Sequence, residues 1–433
     1  MTSTQNIAAN IAVVGSGIAG LSAAWHSAQD SRVRVTLYES DVRLGGHAHT
    51  VDVTMAGKTF GVDTGFLVFN HKTYPGLTPF FEQLGVVTAP SDMGFSVQVG
   101  KSLEWAGNSL SSVFTQRKNL LNPRFWRMLK DMLRFNKAAT HFALAPPNTT
   151  QTLGEYLLAN RYSDALRDWY LIPMAAAIWS CPTETMLAYP MATFSRFCHN
   201  HGLLQITNRP QWYTVQGGSR NYVEKVREAL SNKGCELLFG QAVTKIVRAE
   251  DGVMLHTATG TERFDALVVA THSDQALRLL DAPTTDEQSI LGAIRYQPNL
   301  AVLHTDSSVL PSHQRAWAAW NYETQSNATN PNSQRVCLHY LLNKLQPLPV
   351  GMDTPVLVSL NPLGAIDPAK VIQTFDYDHP VFDSDAIAAQ QMLPSIQGKR
   401  GVWFAGAWAN YGFHEDGFQS GKLAAQALLA GLT

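Results

Sequence analysis

The first residues whose spacing suits chemistry are Gly15, Gly17 and Gly20, a G-x-G-x-x-G run directly after the apolar stretch at residues 11–14. A buried strand that ends in such a run and opens into a helix can receive a pyrophosphate. Gly15 allows the tight turn, Gly17 lets the backbone approach the phosphates, and Gly20 lets helix and strand pack closely. The phosphates then sit at the positive end of the helix, so Ser16, Ile18 and Ala19 belong to the same cradle. Residues 21–28 are alanine-rich, as that helix requires, and residues 34–38 read as a second strand ending at Glu39 and Ser40. Glu39 stands nineteen residues beyond Gly20, where a carboxylate accepts hydrogen bonds from an unphosphorylated ribose.

Two further groups of residues extend the pattern. Arg43, Gly45 and Gly46 follow Glu39 as E-x-x-x-R-x-G-G, and the segment Asp63, Thr64, Gly65, Phe66 comes soon after. Near the other end, a strand at residues 401–405 stops at Gly406 and Ala407. Phe413, His414, Glu415, Asp416 and Gly417 then lead into an alanine- and leucine-rich helix containing Gly421. Together these segments resemble the dinucleotide signatures of the FAD-dependent amine oxidase and phytoene desaturase superfamily. The resemblance implies a non-covalently held FAD. Arg43 would fork onto the pyrophosphate, Gly45 and Gly46 would bring the backbone to it, and Gly65 and Phe66 would pass over the isoalloxazine. Val243 would hold the adenine through its backbone, and Ala270 would end a further buried strand beside the cofactor. Gly406, Ala407, Phe413, His414 and Gly417 would approach from the C-terminal helix, whose dipole would stabilise negative charge on the reduced ring. Ala407 departs from the pattern, since many relatives carry an acid or hydroxyl there.

The fold class implied is α/β, with a Rossmann-type (GR2-like) FAD-binding domain interleaved with an α+β substrate-binding domain. At 433 residues the chain exceeds what one core usually serves. The expected division gives residues 1–71, 214–282 and 396–433 to the FAD-binding part. Residues 72–213, largely helical, and 283–395, richer in sheet, form the substrate part. Residues 235–239 and 242–248 read as a pair of strands. A formal charge of −1 gives no global field for nucleic acid. Cys181, Cys198, Cys235 and Cys337 show no C-x-x-C or metal-finger spacing, which suits reduced thiols in a cytoplasmic protein and gives no metal site. No secretory signal or transmembrane run is visible, so the location expected is cytoplasmic, with peripheral contact to the inner membrane left open.

Residues 122–137 begin with Asn122 and Pro123, a good helix start. Phe125, Met128, Leu129, Met132 and Leu133 then fall at helical spacing. Arg127, Lys130, Arg134 and Lys137 gather opposite, and Arg117, Lys118 and Arg124 bring the basic residues to seven against Asp131 alone. Such a helix can bind an anionic membrane surface, and it can equally pack on a core with a solvated basic face. Thr152 and Glu155 form a capping box. Residues 170–179 are apolar enough to line a pocket or to pack in a core.

Amine oxidases of the superfamily place a lysine near the flavin, yet no lysine stands between Lys245 and Lys344. The corresponding strand, near residues 299–305, offers His304. The combination of Trp179-Ser180, Arg196-Phe197, Asn200-His201-Gly202 and the run from Gly217 to Tyr222 resembles a bacterial branch of NAD/FAD-binding proteins. That branch is associated with cyclopropane fatty-acid synthases and is similar to flavin-dependent unsaturated fatty-acid isomerases and desaturases. It implies a hydrophobic substrate, an unsaturated or methylated acyl chain, free or phospholipid-linked, that gives hydride to flavin N5. Amine oxidation, or flavin or lipid binding without catalysis, are the alternatives. His414, His304 and Glu415 are the candidates for proton transfer, although Glu415 could equally serve the helix terminus. His47 and His49 follow the glycine pair, with no neighbour that argues for covalent attachment.

Overall fold

The apolar run at residues 11–14 lies in the middle of a parallel sheet in the computed structural model, which describes residues 9–100, 102–144, 151–179, 186–205, 209–324, 336–349 and 351–432. Ser180 and Cys181 lie outside the described residues. Five strands build the sheet: β1 (Ala9–Val14), β2 (Val33–Tyr38), β3 (Glu236–Leu238), β4 (Ala266–Val269) and β5 (Val402–Phe404), in the order β5-β4-β1-β2-β3. Ile11 and Val13 face one core, while Ala12 and Val14 face another. Burial on both faces explains why the run does not alternate with polar residues.

Helix α1 (Ile18–Ser27) covers one face of this sheet. Much farther along the chain come α2 (Pro123–Leu144), α3 (Arg220–Asn232) and α4 (His414–Ala430). The first and last of these four meet directly. Any side chain at Gly421 would collide with the Ala19 carbonyl, and Ser22 Oγ donates to the Phe418 carbonyl at 2.7 Å. This contact joins the beginning of the FAD-type fold to its last element.

One expectation fails in this half. The strands near 235 and 243 do not pair with each other: β3 joins β2 in parallel, while Val243–Ala249 opens a separate antiparallel sheet with Gly252–Thr257 and Gly260–Phe264. Gly240, at φ +68°, turns the chain between them. A short apolar run marks a strand without naming its partner.

The second large sheet has seven strands, in the order Val371–Val381, Arg295–His304, Leu357–Leu360, Val336–Leu341, Trp320–Thr324, Phe95–Val99 and Leu103–Ala106. Against its last strands pack α2 and the Met191–Asn200 helix, around Phe125, Phe135, Phe194 and Phe197. The five apolar positions noted in α2 divide between two tasks. Phe125 and Met128 are fully buried in this core, whereas Leu129, Met132 and Leu133 line a cavity. Asp131 is also buried; it accepts from the Ser163 N–H and pairs with Arg127 and Arg134. The Thr152–Glu155 capping box is formed.

Candidate active site

A cavity of about 1530 Å³ runs between the parallel sheet and the second half of the molecule. Single small-ligand sites are typically ~300–1,000 Å³, so this one has room for a dinucleotide and a substrate together. Gly15, Ser16, Gly17, Ile18 and Ala19 line one part of it, as do Glu39 and Ser40. Gly15 has φ +97°, and a Cβ there would meet the Ala270 carbonyl at 2.8 Å, so the turn requires glycine. At Gly17 a Cβ would meet nothing within 4 Å, so its backbone faces open space. Gly17 caps α1 without a side-chain hydrogen bond, leaving the first-turn amides available to a phosphate. Glu39 is held ready at the end of β2: one oxygen accepts from Ser16 N at 2.8 Å and Ser16 Oγ at 2.6 Å, the other from Asp41 N at 2.9 Å.

Around the rest of the cavity stand Gly46, Gly65, Phe66, Val243 and Ala270, with Gly406, Ala407, Phe413 and His414 from the C-terminal part. Four residues of the cofactor motifs do not line it. Gly20 packs against the Gly15 carbonyl, where any side chain would collide, which is the close helix–strand packing its spacing predicts; a Cβ at Gly417 would lie 2.7 Å from the Ile18 side chain. Gly45 donates to the Ser16 carbonyl at 3.1 Å. Arg43 also turns away: it donates to the Gly46 carbonyl at 2.9 Å and pairs with Asp41 at 3.3 Å. Its charge fixes the loop that carries Gly46.

The three proton-transfer candidates separate. His304 is fully buried away from the cavity, its Nε2 2.6 Å from Ser359 Oγ and its Nδ1 accepting from Asp306 N at 3.0 Å. Strand alternation explains this: Ala301 and Leu303 face the core shared with Leu67 and Val68, and His304 falls on the opposite side. Glu415 is also spent structurally. It accepts from the amides of Gly76 and Leu77 at 2.8 and 2.9 Å, tying the Leu77–Gln83 helix to α4. Only His414 of the three reaches the cavity. It stacks on Phe66 with ring centroids 3.7 Å apart, and its Nε2 lies 2.8 Å from Tyr222 Oη in α3. Burial pushes its pKa down to about 3, so the ring is neutral at physiological pH.

Three other cavity-lining histidines converge without a sequence signal. His47, directly after Gly46, has its ring centroid 6.2 Å from His272 and 5.6 Å from His379. They come from stretches more than a hundred residues apart in the sequence. Burial lowers the pKa of all three, that of His379 to about 4. The buried Nε2 of His47 has no hydrogen-bond partner among the described residues, an orphaned polar atom that a bound group in the cavity would satisfy. His49 instead meets Tyr377 Oη at 2.9 Å. The helical half supplies an apolar stretch of wall, with Phe114, Leu129, Met132, Tyr170 and Met174. Outside the cavity, Glu323, Cys337 and His339 form a compact cluster, with His339 Nδ1 2.6 Å from Ser359 Oγ.

A glycine turn at a helix terminus, a carboxylate at the end of the adjacent strand and a large cavity between two halves suit a dinucleotide-dependent oxidoreductase. The chain belongs to the family described as flavin containing amine oxidoreductase, whose pattern matches residues 18–346. Its cofactor is FAD. No curated protein matches the chain. Among solved structures, it is similar to a protein from Exiguobacterium provisionally named a protoporphyrinogen oxidase, with 18% identity, TM-score 0.69 and coverage of 98% of this chain and 99% of that one. A CLA-producing fatty acid isomerase from P. acnes gives 14%, 0.66, 99% and 99% in the same order. Cyclohexylamine oxidase from Brevibacterium oxydans gives 16%, 0.67, 98% and 99%. At these identities the likeness shows the fold. Among the described residues no helix is long and apolar enough to cross a membrane.

Proposed function

We propose that the protein is an FAD-dependent oxidoreductase that desaturates or isomerises an unsaturated or methylated fatty-acyl chain. The observation that carries this reading is the apolar wall of α2. Leu129, Met132 and Leu133 face the cavity, and Phe114, Tyr170 and Met174 continue it, a lining suited to a chain of methylenes. FAD, when bound, supplies a two-electron acceptor that takes hydride at N5.

The chain's own residues do the rest. The apolar walls exclude water and hold the acyl chain by its length. Forming a new double bond also releases a proton, and the site offers neutral imidazoles to accept it. His47 Nε2 is the foremost of these, because it stands next to Gly46 with no hydrogen-bond partner among the described residues. His414 Nε2 is already engaged by Tyr222, which makes this ring a positioning group for Phe66 and α3.

Amine oxidation is the second reading, supported by the family match and by Asp378, whose exposed carboxylate stands on the cavity wall. One experiment separates the two. The purified holoprotein is mixed anaerobically with cis-unsaturated or methylated phospholipids, then with a panel of amines, and flavin absorbance is followed. Bleaching by acyl chains alone is expected; bleaching by amines alone removes the acyl reading.

A further inference from the structure

The cavity's apolar wall does not stop at the protein surface. Leu110, Trp126 and Leu133 line the cavity and are also exposed, by 81%, 49% and 54%. Beside them lie Leu120 and Leu121, the latter 89% exposed. These residues form one patch: Trp126 Nε1 donates to the Leu120 carbonyl at 2.9 Å, and the Trp126 ring lies 5.2 Å from that of Phe114. Five large apolar side chains left in water at one cavity mouth cost free energy unless something covers them.

The charge around the patch indicates what does. Along α2, Trp126, Leu129 and Leu133 form one stripe, and Lys130, Arg134 and Lys137 form the next. Arg117, Lys118, Arg124, Arg127, Lys130, Arg134 and Lys137 are all exposed, whereas Asp131, the acid among them, is buried. Arg127 and Arg134 are taken up by Asp131, and Arg124 sits over the Trp169 ring. Arg117, Lys118, Lys130 and Lys137 have no ion-pair partner among the described residues. Apolar tips with a tryptophan, ringed by free lysine and arginine, match the apolar boundary and anionic headgroups of a lipid surface.

We infer that residues 110–137 dock the protein on an anionic phospholipid bilayer, with the cavity mouth facing the acyl region. The inference rests on the acyl reading above for what passes through the mouth, whereas the docking itself does not. Lys and Arg stay at headgroup level while Leu110, Leu121, Trp126 and Leu133 enter the acyl boundary. A chain then slides into the cavity without crossing water.

The test is co-sedimentation of the holoprotein with vesicles of phosphatidylcholine alone or mixed equally with phosphatidylglycerol, at low and high salt. Binding to the anionic vesicles, weakened by salt, is expected. Reversing four charges (Arg117→Glu, Lys118→Glu, Lys130→Glu, Lys137→Glu) weakens it at least about tenfold, given the worth of each basic residue near such a surface. Leu121→Ser, which lies outside the cavity lining, weakens it separately. Flavin content and circular dichroism confirm that both variants are folded. Equal binding to neutral and anionic vesicles, or binding indifferent to both variants, overturns the inference. So does a dimer in solution that Leu121→Ser dissociates, because a second copy would then cover the patch. If the vesicles bind as expected but no acyl chain either bleaches the flavin or is recovered with a new or shifted double bond, the docking surface stands and the acyl reading falls.

Discussion

The two halves of this molecule meet at one cavity but build their walls by different means. On the parallel-sheet side the wall is mostly backbone. Gly15 and Gly17 bring main chain to the cavity, and Gly421 lets α4 reach α1. On the other side the wall is made of side chains: Leu129, Met132 and Phe114 present bulk and apolarity, and Tyr170 adds a ring whose hydroxyl meets Asn136. A backbone wall built on close contacts, as at Gly15, tolerates little substitution, because a Cβ there collides with main chain. A side-chain wall can be re-cut residue by residue.

The contrast can be broken most sharply at the helix contact. Gly421→Leu drives a side chain into the Ala19 carbonyl, and overpacking against backbone cannot relax by a rotamer change. The expected outcome is no soluble, flavin-loaded protein, read by yield and visible absorbance. A core substitution in the other half should behave differently. Phe135→Ala empties a fully buried site and should cost about 3–5 kcal/mol in denaturant unfolding. The protein that remains folded should still carry its full complement of flavin. If flavin content per folded molecule fell as steeply as stability, the division of labour would be wrong.

Acid should find the buried imidazoles next. His379 has its pKa pushed down from 6.5 to about 4 by burial, and His201 likewise. A base depressed in the folded state contributes stability above its unfolded pKa and loses it as pH falls toward the folded value. Stability should therefore drop between about pH 6.5 and 4, by up to about 3 kcal/mol per such histidine. Asp416, raised to about 7 by burial, works in the opposite sense over the overlapping range, so His379→Asn should flatten the slope by no more than one proton. Urea titrations across that pH range check this.

Smaller effects test the seam and the rim. Tyr222→Phe removes the partner of His414 Nε2 and should cost about 1–1.5 kcal/mol, visible as a modest shift in urea midpoint. Leu121→Ser, at the exposed mouth, should change stability by less than about 0.5 kcal/mol, so any effect on vesicle binding is one of contact and not of folding.

How far the sequence could be read follows the same divide. Gly15, Gly17, Gly20 and Glu39 were legible because strand, turn, helix and acid are constrained locally, and their spacing carries the geometry. The Ala-rich α4 and its Gly421 were legible for the same reason. His304 misled because the strand was correctly placed while its face depends on alternation relative to Ala301 and Leu303. Arg43 has the expected position, but its guanidinium is satisfied by the Gly46 carbonyl and Asp41. His47, His272 and His379 had no common signal at all, since their meeting depends on how two sheets are docked. The α2 stripe lay between these extremes: its apolar and basic faces were visible, and only packing could show that half of the apolar face opens into a cavity.

The contact between α1 and α4 also sets an order of events during synthesis. β1 pairs with β4, some 250 residues farther along the chain, and α4 begins well beyond β4. The glycine turn after β1 is therefore synthesised long before the elements that close against it. Capture of FAD is expected to follow formation of the core around Phe125 and Phe135.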